Sequence, residues 1–490
     1  MGQLLNVLLE KINFDKSVKV VGNQRITIKG LTIDSRKVEN DFVFAALKGT
    51  KVDGHQYIES TLAKGAKVII CEEEPDMLAK AVCYIITDKV ADVFAKLAFT
   101  YYQINDDLKV VGVTGTNGKT SVATLLFQMV TKMGYKCGLI STVENKIGSE
   151  VIPSTHTTPD AEGLAKLMSR MQKEACDYIF MEVSSHALDQ GRVSAVPFKG
   201  AVFTNITRDH LDYHGTFKNY INAKKKFFDM LPSSAFALTN KDDKNGHKMV
   251  ETSKARIKYY GLRSMADYKV KLISSGTEGL HMVIDNMEFY SPMVGEFNAY
   301  NLLAVYGVAL ELGFQKEEVL TILSGVNGAE GRMERVQNRE KNIIGFVDYA
   351  HTPDALENVL HTIKKSKAKE QSVITIIGCG GDRDKGKRPI MAEIAVSNST
   401  KVILTSDNPR SENPQSIIDD MMVGVKVEDI GKVLSITDRR QAIRTAVMLA
   451  QKGDIILLAG KGHEKYQEIN GEKLPFEDKK ELESALISKS

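Results

Sequence analysis

Val113-Thr114-Gly115-Thr116-Asn117-Gly118-Lys119-Thr120 is a run whose residue types and spacing suit phosphate chemistry. Two glycines let backbone N–H groups wrap a polyphosphate, and the N-terminus of a following helix adds positive potential. In such a loop Lys119 reaches the β and γ phosphates, and Thr120 offers its hydroxyl to Mg²⁺. The strict spacing G-x-x-x-x-G-K-[ST] fails at one position, because residue 113 is Val. Nucleotide binding alone does not separate a ligase from a kinase or a switch GTPase. A guanine-reading N-K-x-D loop has a counterpart in Asn240-Lys241-Asp242-Asp243, which follows AFALTN. A second chemical run is Asp407-Asn408-Pro409-Arg410, after KVILTS. Pro409 fixes φ and stiffens the loop. A guanidinium there can grip a carboxylate with two charge-assisted hydrogen bonds. The plainer alternative is a surface pair between Arg410 and Glu412.

The loop needs a strand before it and a helix after it, and the pattern supplies both. KVVGV, TGTNGKT, SVATLLFQMVTKM and then GLIST read as a βαβ unit with a parallel crossover. Buried strands follow at Tyr178 to Val183 and Ala201 to Asn205, then short alternating strands near 261 to 293 and a long helix from Phe297 to Leu312. Residues 1–107 alternate strands (Ile26 to Ile33, Phe42 to Ala46, Lys67 to Cys71, Tyr84 to Thr87) with helices such as Tyr57 to Lys64. MGQLLNVLLEKINFDK reads as an amphipathic helix. Beyond Arg332, the strands GFVDYA, SVITIIGCGG, KVILTSDNP and DIILLAG alternate with helices, as in an open doubly wound sheet whose ligands sit past the carboxyl ends of the strands.

At 490 residues the chain is long enough for about three domains. The boundaries are placed at 1–107, 108–332 and 333–490. With 43% hydrophobic and 26% charged residues the composition is that of a globular protein, which excludes global disorder. Sixty-five Lys and Arg against sixty-two Asp and Glu leave +3, too balanced for an electrostatic nucleic-acid binder. Cys71, Cys83, Cys137, Cys176 and Cys379 are widely spaced and form no C-x-x-C, so neither a disulfide framework nor a zinc site is indicated and buried free thiols are expected. No apolar run approaches the roughly 20 residues that span a bilayer. A cytoplasmic protein without a membrane segment is expected.

TGTNGKT, MEVSSHAL, TNITRDHLDYHG, GEFNAYN, GRMERV and DYAHTPDAL, in that order, resemble the Mur ligases, ATP-dependent amide-bond-forming enzymes of peptidoglycan precursor synthesis. LTIDSRKV, HTTPDA, GCGGDRDKGKRP, DNPR and GKGHE narrow the resemblance to members that add meso-2,6-diaminopimelate to UDP-N-acetylmuramoyl-L-alanyl-D-glutamate. The implied fold is α/β in three domains: a UDP-binding N-terminal domain, a central mononucleotide-binding domain with the phosphate loop, and a Rossmann-like amino-acid-binding domain. ATP would phosphorylate the D-glutamyl side-chain carboxylate, and the amine would then attack the acyl phosphate, with ADP and phosphate leaving.

Carried over by motif, the resemblance assigns catalysis to Lys119, Glu182, His210 and Lys224. It assigns ATP binding to Thr114, Gly115, Thr116, Asn117, Gly118, Lys119, Thr120, Asn298, Asn301, Arg332 and Asp348, with ATP closed between the central and C-terminal domains. Mg²⁺ falls to Thr120, Glu182, His210 and a carbamylated Lys224; without the resemblance, lysines 224 to 226 read as a solvated helix face. Ser35, Thr157, Thr158, Ser184, Gln190 and Arg192 match positions holding the UDP-muramoyl dipeptide. Arg383, Asp407, Asn408, Pro409, Arg410, Gly460 and Glu464 match the diaminopimelate contacts, Glu464 suiting the distal ammonium. His156 replaces an Asn common before the paired threonines, and Asn40 stands where Gly is usual. Alternatives are an L-lysine-adding homologue, a folylpolyglutamate-synthetase-like ligase that shares the ATP core, and a silent nucleotide-binding scaffold. The expected partners are small molecules alone, no nucleic acid among them, and the expected state is a monomer.

Overall fold

The computed structural model describes residues 2–14, 17–49, 52–75, 77–105, 107–154, 156–338 and 342–489. They divide into two compact units, 1–268 with 304–314, and 269–303 with 315–490.

The first unit holds a larger sheet around the phosphate loop, a smaller one, and a two-stranded pair. The phosphate-loop strand Lys109–Thr114 lies between the parallel strands Tyr178–Glu182 and Phe198–Phe203. It is covered on both faces, which is why it reads as an unbroken apolar run. Gly112 has no room for a side chain: a Cβ there would lie 2.5 Å from the Phe227 ring. The loop then opens the helix Lys119–Lys132, as the spacing predicts. Further parallel strands, Cys137–Ile140, Phe236–Asn240 and Arg256–Gly261, extend this sheet, and an antiparallel hairpin, Glu144–Ile147 with Glu150–Pro153, ends one side of it.

The smaller sheet pairs Gly30–Thr32, Phe42–Ala45, Val68–Cys71 and Cys83–Ile86 in parallel, with Lys19–Gly22 antiparallel at the edge. The single strand expected over Ile26 to Ile33 is two. Thr27–Ile28 pairs with Gln3–Leu4 and Gly30–Thr32 with Phe42–Phe44, so the chain changes partner at Lys29. Gly30 allows this because the Phe42 ring occupies the place of a side chain, 2.5 Å from where its Cβ would be. The N-terminal helix is correspondingly short, Leu5–Glu10, with Leu5, Leu8 and Leu9 buried; Met1, Asp15 and Lys16 of that expected helix lie outside the described residues.

The second unit contains the antiparallel strands Tyr268–Gly276, from Lys269 onward, Gly279–Ile284 and Met287–Ser291, followed by the helix Glu296–Glu311, of which residues 296–303 belong to this unit. Its main sheet is the expected doubly wound one. Ile343–Asp348, Ile455–Ala459, Val373–Ile377, Lys401–Leu404 and Val433–Ser435 run parallel in that spatial order. Leu356, Met391 and Ile417 cover one face, and Ala442, Ile443 and Leu482 the other. The antiparallel edge strand Glu334–Asn338 and the three-residue strand Val433–Ser435 were not anticipated. All five cysteines are free and buried. Among the described residues no helix is long and apolar enough to cross a membrane.

Candidate functional site

The phosphate loop is pinned from one neighbouring segment. Thr116 N donates to Asn205 O (2.8 Å), Asn117 N to Asn205 Oδ1 (3.0 Å) and Thr204 Oγ1 to Asn117 O (2.6 Å). A Cβ on Gly115 would fall 1.9 Å from Thr204 Oγ1, and Gly118 sits at φ 88°, where glycine is favoured. Thr116 Oγ1 accepts from Thr207 N (3.0 Å) and meets the Tyr220 hydroxyl at 3.0 Å. Lys119 Nζ folds back onto the carbonyls of Gly115 (3.0 Å) and Thr116 (2.8 Å), poised over the loop. Thr120 is buried in the first helical turn. Thr114 does not face the loop: its side chain is fully buried and donates to Val183 O at 2.8 Å.

Lys224 converges on the same loop. It is 1% exposed, its Nζ lies 2.8 Å from Gly115 O, and it sits 4.8 Å from the centre of the Tyr220 ring one helical turn away. Burial, reinforced by the charge of Lys119, pushes its pKa well below the usual lysine value against the pull of Asp209. The solvated-face reading holds for Lys226, which pairs with Asp189, while Lys225 is largely covered and pairs with Asp229. Glu182 ends its strand fully buried, and its carboxylate accepts from Thr142 N (2.7 Å) and Thr142 Oγ1 (3.2 Å). His210 is half-exposed in a left-handed backbone (φ 53°). Desolvation, with the nearby His186, Lys119 and Lys224, lowers its pKa against the opposing effect of Asp209, so the ring keeps a free lone pair at neutral pH.

Thr157, Thr158, Ser184, Gln190 and Arg192 are gathered beside Glu182. Thr158 Oγ1 donates to Glu182 O (2.9 Å) and accepts from Ser184 N (3.2 Å), while Thr157 Oγ1 lies 3.0 Å from Thr142 Oγ1. Arg192 gives Nε and Nη2 to Gln190 Oε1 (2.9 and 2.5 Å) and Nη1 to Thr158 O (2.9 Å). Gln190 and Arg192 line a cavity of about 170 Å³ with His156, Asp160, Ile33, Leu47 and Phe94. Ser35 is not among its lining residues; its carbonyl accepts from Lys64 Nζ at 2.8 Å.

In the second unit, Asn298 and Asn301 are buried and joined side chain to side chain at 2.9 Å. Asp348 is buried, accepting from Met333 N (2.7 Å) and Ala350 N (2.8 Å); desolvation raises its pKa despite Arg332 and these donors. The Arg332 guanidinium lies 4.8 Å above the Tyr349 ring, against which His463 also packs. At the carboxyl ends of the central strands stand Asp407, Asn408, Pro409, Arg410, Gly460 and Glu464. Asn408 Nδ2 donates to Glu464 Oε2 (2.7 Å), and Asn408 Oδ1 accepts from Lys461 Nζ (3.0 Å) and Glu468 N (2.9 Å). Lys461, fully buried, also reaches Glu464 Oε2 at 3.0 Å. Asp407 is 7% exposed, and its Oδ2 lies 2.6 Å from where a Gly460 Cβ would be. Arg410 Nη1 donates to Gly381 O (2.7 Å), and its Nε lies 3.4 Å from Glu468 Oε2. The alternative partner Glu412 is taken by Arg388. Arg383 is exposed near this loop cluster.

Three family descriptions match the chain: Mur ligase family, catalytic domain, over residues 27–102; Mur ligase middle domain over 113–309; and Mur ligase, glutamate ligase domain over 331–462. A protein from Phocaeicola vulgatus named UDP-N-acetylmuramoyl-L-alanyl-D-glutamate--2,6-diaminopimelate ligase is 53% identical over 97% of this chain and 98% of its own. The chain belongs to the Mur ligase family. A relative of the same name from Bacteroides fragilis is 51% identical over 97% of this Mur ligase and 98% of its own length. A solved structure titled as that ligase superposes with a TM-score of 0.72 at 34% identity, covering 100% of this chain and 99% of the other.

Several residues that shape the site of this Mur ligase escaped the sequence. Thr142 anchors Glu182, Thr204 and Asn205 hold the phosphate loop, and Lys461 braces Glu464. Thr204 and Asn205 do lie in TNITRDHLDYHG and Lys461 in GKGHE, and Tyr220 lies four residues before Lys224 and so on the same helix face. The guanine-reading alternative does not survive the structure. Asn240 is buried and donates to Thr204 O, while the Asp243 carboxylate, the acid of that pattern, accepts from Ile206 N (2.9 Å) and Asn245 N (2.8 Å).

Proposed function

We propose that this Mur ligase joins meso-2,6-diaminopimelate to the D-glutamyl side chain of UDP-N-acetylmuramoyl-L-alanyl-D-glutamate, with ATP cleaved to ADP and phosphate. The observation that carries the reading is the 53% identity, along nearly the whole chain, to a ligase of that name. An oxygen of the glutamyl carboxylate attacks the γ-phosphorus and ADP leaves. The amine then attacks the acyl carbonyl, phosphate leaves, and the amine loses a proton. Two anions meet in the first step, so cations must offset their repulsion. Lys119 supplies one at the loop, whose backbone N–H groups hold the phosphates. Gln190, Arg192, Thr157, Thr158 and Ser184 hold the dipeptide beside that loop, and Ser35 contributes to the uridine diphosphate contacts. Asn298, Asn301, Arg332 and Asp348 serve the nucleotide.

The donor set fits Mg²⁺. Glu182 uses two of about four acceptor positions on Thr142 and keeps the others. Thr120 offers a hydroxyl and His210 a neutral imidazole. Among the described residues no three His, Cys, Asp or Glu side chains form a ready-made metal centre, so phosphate oxygens and water must complete the shell. When bound, Mg²⁺ supplies charge neutralisation at the phosphate oxygens. Burial, with the charge of Lys119, favours the neutral amine at Lys224, the form whose lone pair adds to CO₂. Loss of one proton then leaves a carbamate, which returns a carboxylate to a pocket containing Lys119. The protein acts as a cytoplasmic monomer.

At the amine subsite the structure favours a division of labour different from the one expected. Glu464 is already shared by Asn408 and Lys461, whereas the buried Asp407 carboxylate accepts no side-chain or backbone hydrogen bond among the described residues and is the better acceptor for an ammonium. Arg410, with Arg383 at the rim, takes the second carboxylate, which is what separates diaminopimelate from lysine. Phosphate release is measured with the UDP-muramoyl dipeptide and a panel of amines. Turnover with meso-diaminopimelate well above that with L-lysine supports the reading; turnover with L-lysine alone, or with a folate and glutamate, replaces it.

A further inference from the structure

Beneath the amine subsite lies an ion pair that the reaction itself does not use. Arg439 opens the helix Arg439–Leu449, and Asp478 opens the final helix Asp478–Ser488. Both side chains are 0% exposed. The contact is a two-pronged fork, Nε to Oδ1 at 2.7 Å and Nη2 to Oδ2 at 2.6 Å. The guanidinium has N–H groups left over. Nη2 also donates to Ala459 O (3.1 Å) and Nη1 to Ser406 O (3.4 Å).

Those two carbonyls belong to different strand ends. Lys401–Leu404 and Ile455–Ala459 are not neighbours; Val373–Ile377 runs between them. Arg439 therefore ties together two chain ends that share no ladder. The residue after each tied carbonyl is an amine-subsite residue, Asp407 in one case and Gly460 in the other. Those two touch, since the place of a Gly460 Cβ is 2.6 Å from Asp407 Oδ2.

A buried ion pair contributes little net stability compared with apolar side chains of similar volume. An apolar pair would fill the same space but could not donate to Ser406 O and Ala459 O. We infer that Arg439, oriented by Asp478, is a positioning residue that sets the spacing of Asp407 and Gly460 and thereby the affinity for the amine substrate. The inference rests on the assignment of that strand-end pocket to the amine.

The test is the double variant Arg439→Met/Asp478→Leu in the full-length protein, with KM determined separately for ATP, the UDP-muramoyl dipeptide and whichever amine the unmutated enzyme accepts. A rise of about tenfold or more in the amine KM, with the other two within about twofold and the melting temperature preserved, supports positioning. An unchanged amine KM in the folded double variant overturns it, because packing alone would then suffice. So does an equal rise in all three constants. Should the double variant not fold, Arg439→Lys gives the same decision: it keeps the charge but cannot serve one carboxylate and two carbonyls together. Failure of the substrate assignment is read separately, from which amine the unmutated enzyme accepts.

Discussion

Replacing Arg410 with alanine separates the two candidate amines, which differ chiefly by a carboxylate on the far carbon. The backbone around residue 410 should survive, because Arg410 N donates to Glu468 O and Arg410 O accepts from Asn470 N whatever the side chain. The side chain is about one-quarter exposed, so its loss leaves no sealed cavity. In the intact protein one guanidinium N–H is spent on Gly381 O and the Nε edge faces Glu468, leaving Nη2 for the substrate. A charge-assisted hydrogen bond contributes about 1.5–3 kcal/mol. Two to the distal carboxylate sum to about 3–6 kcal/mol, or about 10²- to 10⁴-fold in kcat/KM. Lysine makes neither contact, and the existing contacts to Gly381 and Glu468 keep Arg410 from being stranded when lysine binds. Arg410→Ala should therefore lose about 10²- to 10⁴-fold in kcat/KM for meso-diaminopimelate and less than about tenfold for L-lysine. Coupled ADP-release kinetics with each amine read both numbers. Parallel losses for the two amines, or comparable kcat/KM for both in the unmutated enzyme, would refute the reasoning.

Lys119→Ala should slow acyl-phosphate formation by about 10²–10³-fold or more with an unchanged melting temperature, because a loop cation is lost and no core contact; normal single-turnover ADP release would overturn the loop assignment. Lys224→Ala should lose activity and recover part of it with added formate or acetate, and depletion of CO₂ should depress the unmutated enzyme but not the variant; an active Lys224→Ala protein indifferent to CO₂ would exclude the carbamate. His463 is held down to about 4, chiefly by burial and then by Arg332, Lys465, His351 and Lys461. Its folded pKa lies below the unfolded value of 6.5, so the unfolded chain binds the extra proton between those values, and stability is full above about pH 6.5 and falls as pH drops toward 4. The drop from this residue amounts to about 3 kcal/mol, and His463→Gln should flatten the urea-midpoint profile of the second unit by that order between pH 7 and 4.5. An unchanged profile would show that His463 protonates freely in the folded state.

The parts of this structure legible in the sequence are those governed by local periodicity and turn chemistry. The strand–loop–helix around Lys119 and the doubly wound strands ending at Asp348, Ile377, Leu404 and Ala459 follow from apolar runs punctuated by Gly, Asp and Asn. What stayed hidden depends on partners far along the chain. The break at Lys29 arises because Thr27–Ile28 and Gly30–Thr32 find different neighbours, 3–4 and 42–44, and no window of sequence contains both. Thr114 looked like part of the loop because it sits in TGTNGKT, yet an alternating strand turns its side chain toward Val183. Lys461 lies between two glycines in GKGHE, and the sequence assigns it no role. Its burial follows from a carboxylate and an amide, Glu464 and Asn408, that only the folded strand ends bring together.

The sealed thiols have a practical consequence. Burial raises Cys71, Cys83 and Cys176 to about 11 and Cys137 and Cys379 to about 12. At pH 7.5 fewer than about one in a thousand of each is thiolate, the form that alkylating reagents attack. The native protein is thus nearly blank to maleimide chemistry, although it carries five cysteines. A single cysteine introduced at an exposed position, such as Met265 or Val427, should label cleanly without prior removal of the natural five. Pairs of such labels would make the enzyme a ready subject for distance spectroscopy during turnover.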